Sequence, residues 1–274
     1  MFVSFFPRPT LFFTSVVLWT ALAMAVWYGF GSDLFPVSTK PIGLATFWFS
    51  QELWFDFYFM ASVAIFAAAW MLFAPHPWAP WSIPGSALIL FTSYFQVEVS
   101  VAINSWCGPF YDLVQAALSH SAPVTIERFY AELSTFAGIA LVAVVVGVPT
   151  CFFVSHYIFR WRTAMNEFYT ANWPQLRVIE GASQRVQEDT MRFANTVEGL
   201  GVNLISAVLT PLAFMPVLVK LSCNVTELPL IGSISYPLVV GAVIWSVLGT
   251  GVLAHRYPPA RHRIFESKSR SGLS

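Results

Sequence analysis

Residues 160–192 read Arg-Trp-Arg-Thr-Ala-Met-Asn-Glu-Phe-Tyr-Thr-Ala-Asn-Trp-Pro-Gln-Leu-Arg-Val-Ile-Glu-Gly-Ala-Ser-Gln-Arg-Val-Gln-Glu-Asp-Thr-Met-Arg, a polar island between two long apolar runs. The runs on either side, Phe136–Ile158 and Phe193–Val219, are each long enough to cross a bilayer, which takes about 20 mostly apolar residues. The island must then lie outside the membrane between two spans. Five of the 14 Lys and Arg residues fall in it, namely Arg160, Arg162, Arg177, Arg185 and Arg192. Cationic loops are retained on the cytoplasmic side, so the island faces the cytoplasm.

Composition agrees with that reading. Of 274 residues, 57% are hydrophobic and only 10% charged, whereas a soluble domain carries roughly 25% charged residues. Aromatic residues make up 17%, with 26 Phe and 11 Trp, which suits lipid-facing surfaces and interfacial belts. No polar stretch is long enough to bury a separate soluble core. Cys107, Cys151 and Cys223 lack disulfide or metal spacing and read as small apolar residues. The expectation is a non-enzyme with no cofactor, no bound metal and no nucleic-acid partner.

Four further runs qualify as spans: Leu11–Phe30, Trp54–Phe73, Ser86–Ile103 and Pro237–Leu253. The fold class is all-α, a polytopic membrane protein of about six transmembrane helices with a long cytoplasmic helical hairpin. Threading the six spans leaves Arg8, the five island arginines, Arg256, Arg261, Arg263, Lys268 and Arg270 inside. Outside lie Lys40, Arg128 and Lys220, so the balance is eleven against three. Both termini are therefore cytoplasmic. The first span is too long for a signal-peptide core and reads as an uncleaved anchor.

The island should be a helical hairpin. Trp161, Met165 and Tyr169 recur at i, i+4 and i+8, an apolar stripe on a helix leaving the membrane. Trp173-Pro174 and Gly181 mark the turn, and a second helix starts near Ala182. Arg185 with Asp189, and Glu188 with Arg192, have i, i+4 spacing, which is worth ~0.2–0.5 kcal/mol per pair. Two readings fit: a solvated hairpin, or a coupling or dimer-contact element formed by Arg160, Trp161, Arg162, Gln184, Arg185, Glu188 and Asp189.

Acids inside spans are the candidate site. A carboxylate at the centre of a span costs ~2.5–3.5 kcal/mol on insertion scales and marks a proton or substrate path by default. Glu198 lies early in the fifth span and Glu98 deep in the third. Burial would disfavour the charged form of Glu198 and let it exchange a proton. The alternative is a carboxylate reaching the interface to pair with Arg192 or Arg160. Gln96, Ser100 and Asn104, at i, i+4 and i+8, form a polar stripe beside Glu98 that could pack against another helix or line a cavity. Asp56, Asp112 and Glu132 fall near outer span ends. His156 reads as a helix-end residue where the fourth span meets the cytoplasm.

Several motifs carry a resemblance. Phe159-Arg160-Trp161-Arg162 and Gln184-Arg185-Val186-Gln187-Glu188-Asp189 are similar to the first intracellular loop of ABC half-transporters of the fatty-acyl exporter type. The match is closer to the SbmA/BacA family of inner-membrane peptide transporters. Met1-Phe2-x-Ser4-Phe5-Phe6-Pro7, Val97-Glu98-Val99, Pro109-Phe110-Tyr111-Asp112-Leu113, the run from Phe153 to Phe193, Glu227-Leu228-Pro229 and Gly249-Thr250-Gly251 all fit. The resemblance implies a homodimer with an ABC type-1 exporter-like core in the bacterial inner membrane. It implies proton-driven import of peptides, including antimicrobial peptides and peptide antibiotics, with no ATP bound by this chain. It also implies that Glu198 couples protons to peptide movement, and it makes Asn224-Val225-Thr226 a chance glycosylation match.

The resemblance runs over residues 1–254, read as one transmembrane domain. It implies a continuation through two more spans. Residues 255–274 depart from that pattern and read as a disordered, frameshifted tail. One set of codons that would encode His255 to Arg263, CAT CGG TAT CCG CCT GCC CGG CAT CGA, gives Ile-Gly-Ile-Arg-Leu-Pro-Gly-Ile when read one base later, which is similar to the family's continuation. Alternative functions are the membrane half of an ATP-driven long-chain fatty-acyl or lipid exporter, and an inactive remnant.

Overall fold

The computed structural model describes residues 2–31, 42–48, 51–119, 123–178, 180–223 and 236–256, apart from the side chains of residues 51, 52, 185 and 198. Among the described residues every regular element is helical. A 3₁₀ turn, Phe2–Ser4, precedes α1, Pro9–Val26, which runs into a π-helical turn, Trp27–Gly31. The short α2, Ala45–Trp48, leads to α3, Gln51–Phe73. Two very long helices follow, α4, Ala79–Leu118, and α5, Ile126–Ala171. A single turn, α6, Trp173–Leu176, connects to α7, Ala182–Thr196. A second π-helical turn, Val197–Gly201, passes into α8, Val202–Ser222, and the last helix is α9, Pro237–Arg256.

Among the described residues six stretches are long and apolar enough to cross a membrane: Pro9–Gly31, Leu53–Phe73, Ala79–Leu118, Ile126–Ala171, Ala182–Ser222 and Pro237–Arg256. The protein is an all-α, multi-pass membrane protein. Helices satisfy every backbone group internally, which hydrocarbon demands of any lipid-exposed segment.

Three spans differ from their expected bounds, for one reason. The helices do not stop where the apolar runs stop. At 40 residues α4 is about 60 Å long, and at 46 residues α5 is about 69 Å, against a hydrocarbon core of about 30 Å. No glycine or proline interrupts 156–171, so α5 continues straight into the polar island. This corrects the reading of His156, which lies well inside α5 and not at a helix end. At its C-terminal end α4 runs through Pro109, so Tyr111 and Asp112 sit exposed on a helix extension. The fifth span likewise starts at Ala182 and not Phe193.

Packing explains the α4–α5 pairing. At Gly85 an added Cβ would lie 2.8 Å from the Tyr157 ring, so only glycine lets the two helices meet there. Beside it, the hydroxyls of Ser86 and Tyr157 are hydrogen-bonded at 2.6 Å. Further along α4, Val99, Ala102 and Trp106 form a second buried cluster with Ile139 of α5. Trp106 donates its indole N–H to the Glu132 carbonyl (3.0 Å) and stacks on Phe110 with centroids 4.6 Å apart.

The α1–α3 pairing is held by polar contacts between apolar helices. Trp19 Nε1 donates to Ser62 Oγ (2.9 Å), Trp70 Nε1 to Ser15 Oγ (3.0 Å) and Tyr58 OH to the Ala23 carbonyl (2.7 Å). Without a hydrophobic force between helices in lipid, such bonds contribute strongly to helix pairing. Inside α5, Pro149 has no N–H, so the Val145 carbonyl loses its helical partner there.

The chain forms two compact units, residues 1–210 and 211–274. In the second, Ser222 Oγ accepts the N–H of Leu238 (3.1 Å), joining the end of α8 to the start of α9. Expectations for Lys40, Asn224-Val225-Thr226, Glu227-Leu228-Pro229 and the tail after Arg256 lie outside the described residues.

Candidate functional site

The stripe read from 161, 165 and 169 faces inward. Trp161 and Met165 are buried, and Tyr169 packs against the same cluster. Trp161 is its aromatic centre. Phe5 stacks on the indole, with centroids 5.2 Å apart and 12° between planes. Phe6 meets it edge-on at 5.5 Å, Phe193 from α7 edge-on at 5.0 Å, and Phe2 at 5.6 Å. The N-terminal segment is therefore clamped between α5 and the C-terminal end of α7. Among the described residues the Trp161 Nε1 and Ser82 Oγ atoms are buried without a hydrogen-bond partner. Such a group costs about 1–3 kcal/mol when left unmade.

An apolar cleft of about 250 Å³ opens beside this clamp. Phe6, Phe13, Ile89, Tyr157, Val197 and Gly201 are among its walls, and the Ser86–Tyr157 hydroxyl pair is its main polar feature. Val197 and Gly201 are the two ends of the π-helical turn, and Glu198 lies within that turn. π-turns are rare and concentrate at functional sites, because the extra residue releases backbone groups from the regular ladder. The Glu198 side chain itself is outside the described atoms.

Glu98 is half-buried on α4 between buried Val97 and Val99. It lies 12 residues beyond Ser86, about 18 Å along the helix. α4 thus carries Glu98 well beyond the level of the cleft wall at Ser86. Of the polar stripe, Gln96 is half-buried while Ser100 and Asn104 are exposed. Ser100 hydrogen-bonds back to the Gln96 carbonyl (3.0 Å).

The residues expected to form a coupling element divide. Arg162 lines an open groove of about 540 Å³ between α5 and α7, with Asn166, Tyr169, Trp173, Gln187 and Thr190. Gln184 Nε2 donates to Glu188 Oε1 (3.0 Å), and Glu188 pairs with Arg192 at 3.7 Å, as the spacing indicated. Asp189 is exposed, and the side chain of its expected partner Arg185 is outside the described atoms. Arg160 behaves differently. Its guanidinium lies 4.9 Å from the Trp81 ring centroid, and its Nε donates to His156 Nε2 (3.3 Å).

Sequence reasoning passed over three features. One is the N-terminal clamp on Trp161. Another is the Ser86–Tyr157 pair, whose signal was the Gly85 position beside a serine. The third is His76 in the α3–α4 connection. Its Nδ1 accepts the Trp78 N–H (3.2 Å). Burial pushes its pKa below 6.5, opposed by a backbone hydrogen bond with Val3. His76 thus ties the 3₁₀ turn to the foot of α4.

A family model described as the SbmA/BacA-like family matches residues 75–256, from the foot of α4 to the end of α9. The match spans 182 residues (256 − 75 + 1) of 274, well over half of the chain. The chain belongs to the SbmA/BacA-like family. That is a family of peptide transporters, so the clamp, the cleft and the π-turn are parts of a transport protein. Within the SbmA/BacA-like match fall Glu98, Glu198 and the whole α5–α7 hairpin, while α1, α2 and α3 precede it.

Proposed function

We propose that this protein is a proton-driven importer of peptides, antimicrobial peptides and peptide antibiotics among them, acting as a homodimer in the bacterial inner membrane. Both termini and the α5–α7 hairpin face the cytoplasm, which the eleven-to-three distribution of basic residues supports. Residues 1–254 act as one ABC type-1 exporter-like transmembrane domain without an ATP site of its own.

One observation carries the reading: Glu198 lies in a π-helical turn whose ends wall an apolar cleft, in a chain of a peptide-transporter family. Glu198 is assigned to taking up and releasing a proton during transport, the default role of an acid within a span. Glu98, further along α4, is assigned to the cavity that peptides traverse. Arg160, Trp161, Arg162, Gln184, Arg185, Glu188 and Asp189 are assigned to the element that relays movement between α5 and α7.

The test is uptake of a fluorescent proline-rich peptide by cells lacking their own transporter and expressing this chain. Uptake that collapses with a protonophore and resists vanadate is expected. Uptake stopped by vanadate and indifferent to the protonophore would instead make it the membrane half of an ATP-driven exporter.

A further inference from the structure

The exposed face of α5 ends in a cation that has no acid partner among the described residues. Leu141, Val145, Val148 and Phe152 follow one another at i, i+4, i+7 and i+11 and are all exposed, Phe152 to 75%. The next members of the same row are His156 and Arg160, four and eight residues further on. An apolar stripe about 17 Å long thus leads directly to a positive charge at the cytoplasmic boundary of the span.

That charge is held in place. The Trp81 ring lies under the guanidinium, and His156 takes its Nε hydrogen. His156 is fixed in turn between Trp81, edge-on at 5.3 Å, and Phe152, stacked at 6.2 Å. The remaining guanidinium hydrogens have no carboxylate acceptor among the described residues. The nearest acid along the same helical row, Glu167, accepts from Trp78 Nε1 (3.2 Å). Glu188 is engaged by Arg192. A planar fork with its hydrogens unspent and its orientation set matches a phosphate oxygen pair.

We infer that Arg160, Trp81 and His156 form a binding site for the phosphate of an anionic membrane lipid, whose acyl chain lies along Leu141, Val145, Val148 and Phe152. Charge complementarity selects this occupant. A cation at the end of an apolar stripe, at the depth of the headgroups, pairs with an amphiphile carrying one negative phosphate. A zwitterionic lipid offers the same chain but cancels the attraction.

Native mass spectrometry of the protein released from mixed phosphatidylglycerol and phosphatidylcholine nanodiscs provides the test. Preferential retention of phosphatidylglycerol is expected. Arg160→Gln should reduce that preference about fivefold, the worth of one cation at a membrane surface. Trp81→Leu, which leaves the charge but removes its platform, should reduce it roughly threefold. Lys220→Gln, a basic residue elsewhere, should leave it unchanged. Equal retention of both lipids, or preference surviving both Arg160→Gln and Trp81→Leu, overturns the assignment. Displacement of the lipid by inorganic phosphate would make it a soluble-anion site. Efficient disulfide cross-linking of two copies through Phe152→Cys in native membranes would show that a second chain covers the stripe instead.

Discussion

The Phe5 ring lies flat on the Trp161 indole, 5.2 Å centre to centre, although 156 positions separate the two residues in the chain. Phe5 is fully buried, with Phe6, Trp78, Tyr157 and Trp161 as its ring neighbours. Phe5 and Phe6 are therefore part of the core of the first unit. Phe5→Ala removes the stacked ring and leaves a cavity, which costs roughly 3–5 kcal/mol. A large fall in melting temperature in detergent is expected, and an unchanged value would show the clamp to be ornamental.

Gly85 should tolerate nothing larger. A Cβ there meets the Tyr157 ring at 2.8 Å, and Tyr157 is held by Ser86. Gly85→Ala must push the ring away and break that hydroxyl pair, a cost of about 1–3 kcal/mol. Gly108→Ala, where an added Cβ meets nothing, is the matched control on the same helix. The prediction is a thermal shift for the first variant alone. Equal behaviour of the two would dismiss the close approach.

Glu198→Gln keeps size and hydrogen bonding but cannot carry a proton. Peptide uptake should be lost while expression, dimerisation and melting temperature stay as they were. Uptake at the original rate would reduce Glu198 to a structural part of the π-turn.

The His76 link gives a pH dependence with a definite sign. Its pKa in the folded protein lies below 6.5. Above 6.5 the ring is neutral folded or unfolded and costs nothing. Below 6.5 the unfolded chain takes up the proton first, so stability falls as pH drops through that range. Melting temperatures from pH 8 to pH 5 should decline, and His76→Asn should flatten the part of the decline that His76 causes. A decline identical in the variant would place the effect elsewhere.

Sidedness can be read at two exposed positions. In a background with Cys107, Cys151 and Cys223 replaced, Val178→Cys and Leu118→Cys both offer accessible thiols. A membrane-impermeant maleimide added to intact spheroplasts should label position 118 and spare 178. The opposite pattern would reverse the threading.

Much of the fold was legible because periodicity and length are local. Trp161 and Met165 announced the inward face of α5 by their spacing alone, and Glu188–Arg192 paired as i, i+4 spacing requires. Span limits were not legible, since hydropathy marks where lipid ends and not where a helix ends. Hence α4 and α5 overran their windows at both ends. The candidate site was half legible. Glu198 stood out as an acid in hydrocarbon, but nothing in Val197-Glu-Gly-Leu-Gly201 spells a π-turn. Nor does any spacing tell Phe5 that its partner is Trp161. For Arg160, attention to acids hid an imidazole four residues away.

The length of α5 gives the molecule mechanical leverage. Ala171 lies 22 residues beyond Pro149, about 33 Å along the axis. The backbone bond missing at Pro149 makes that point the easiest place for the rod to flex. A swing of about 10° there would carry the far tip sideways by about 6 Å, roughly one helical pitch. Small rearrangements around the cleft would thus become large excursions of the hairpin, and displacement of the hairpin by another molecule would be geared down into fine adjustment within the bilayer.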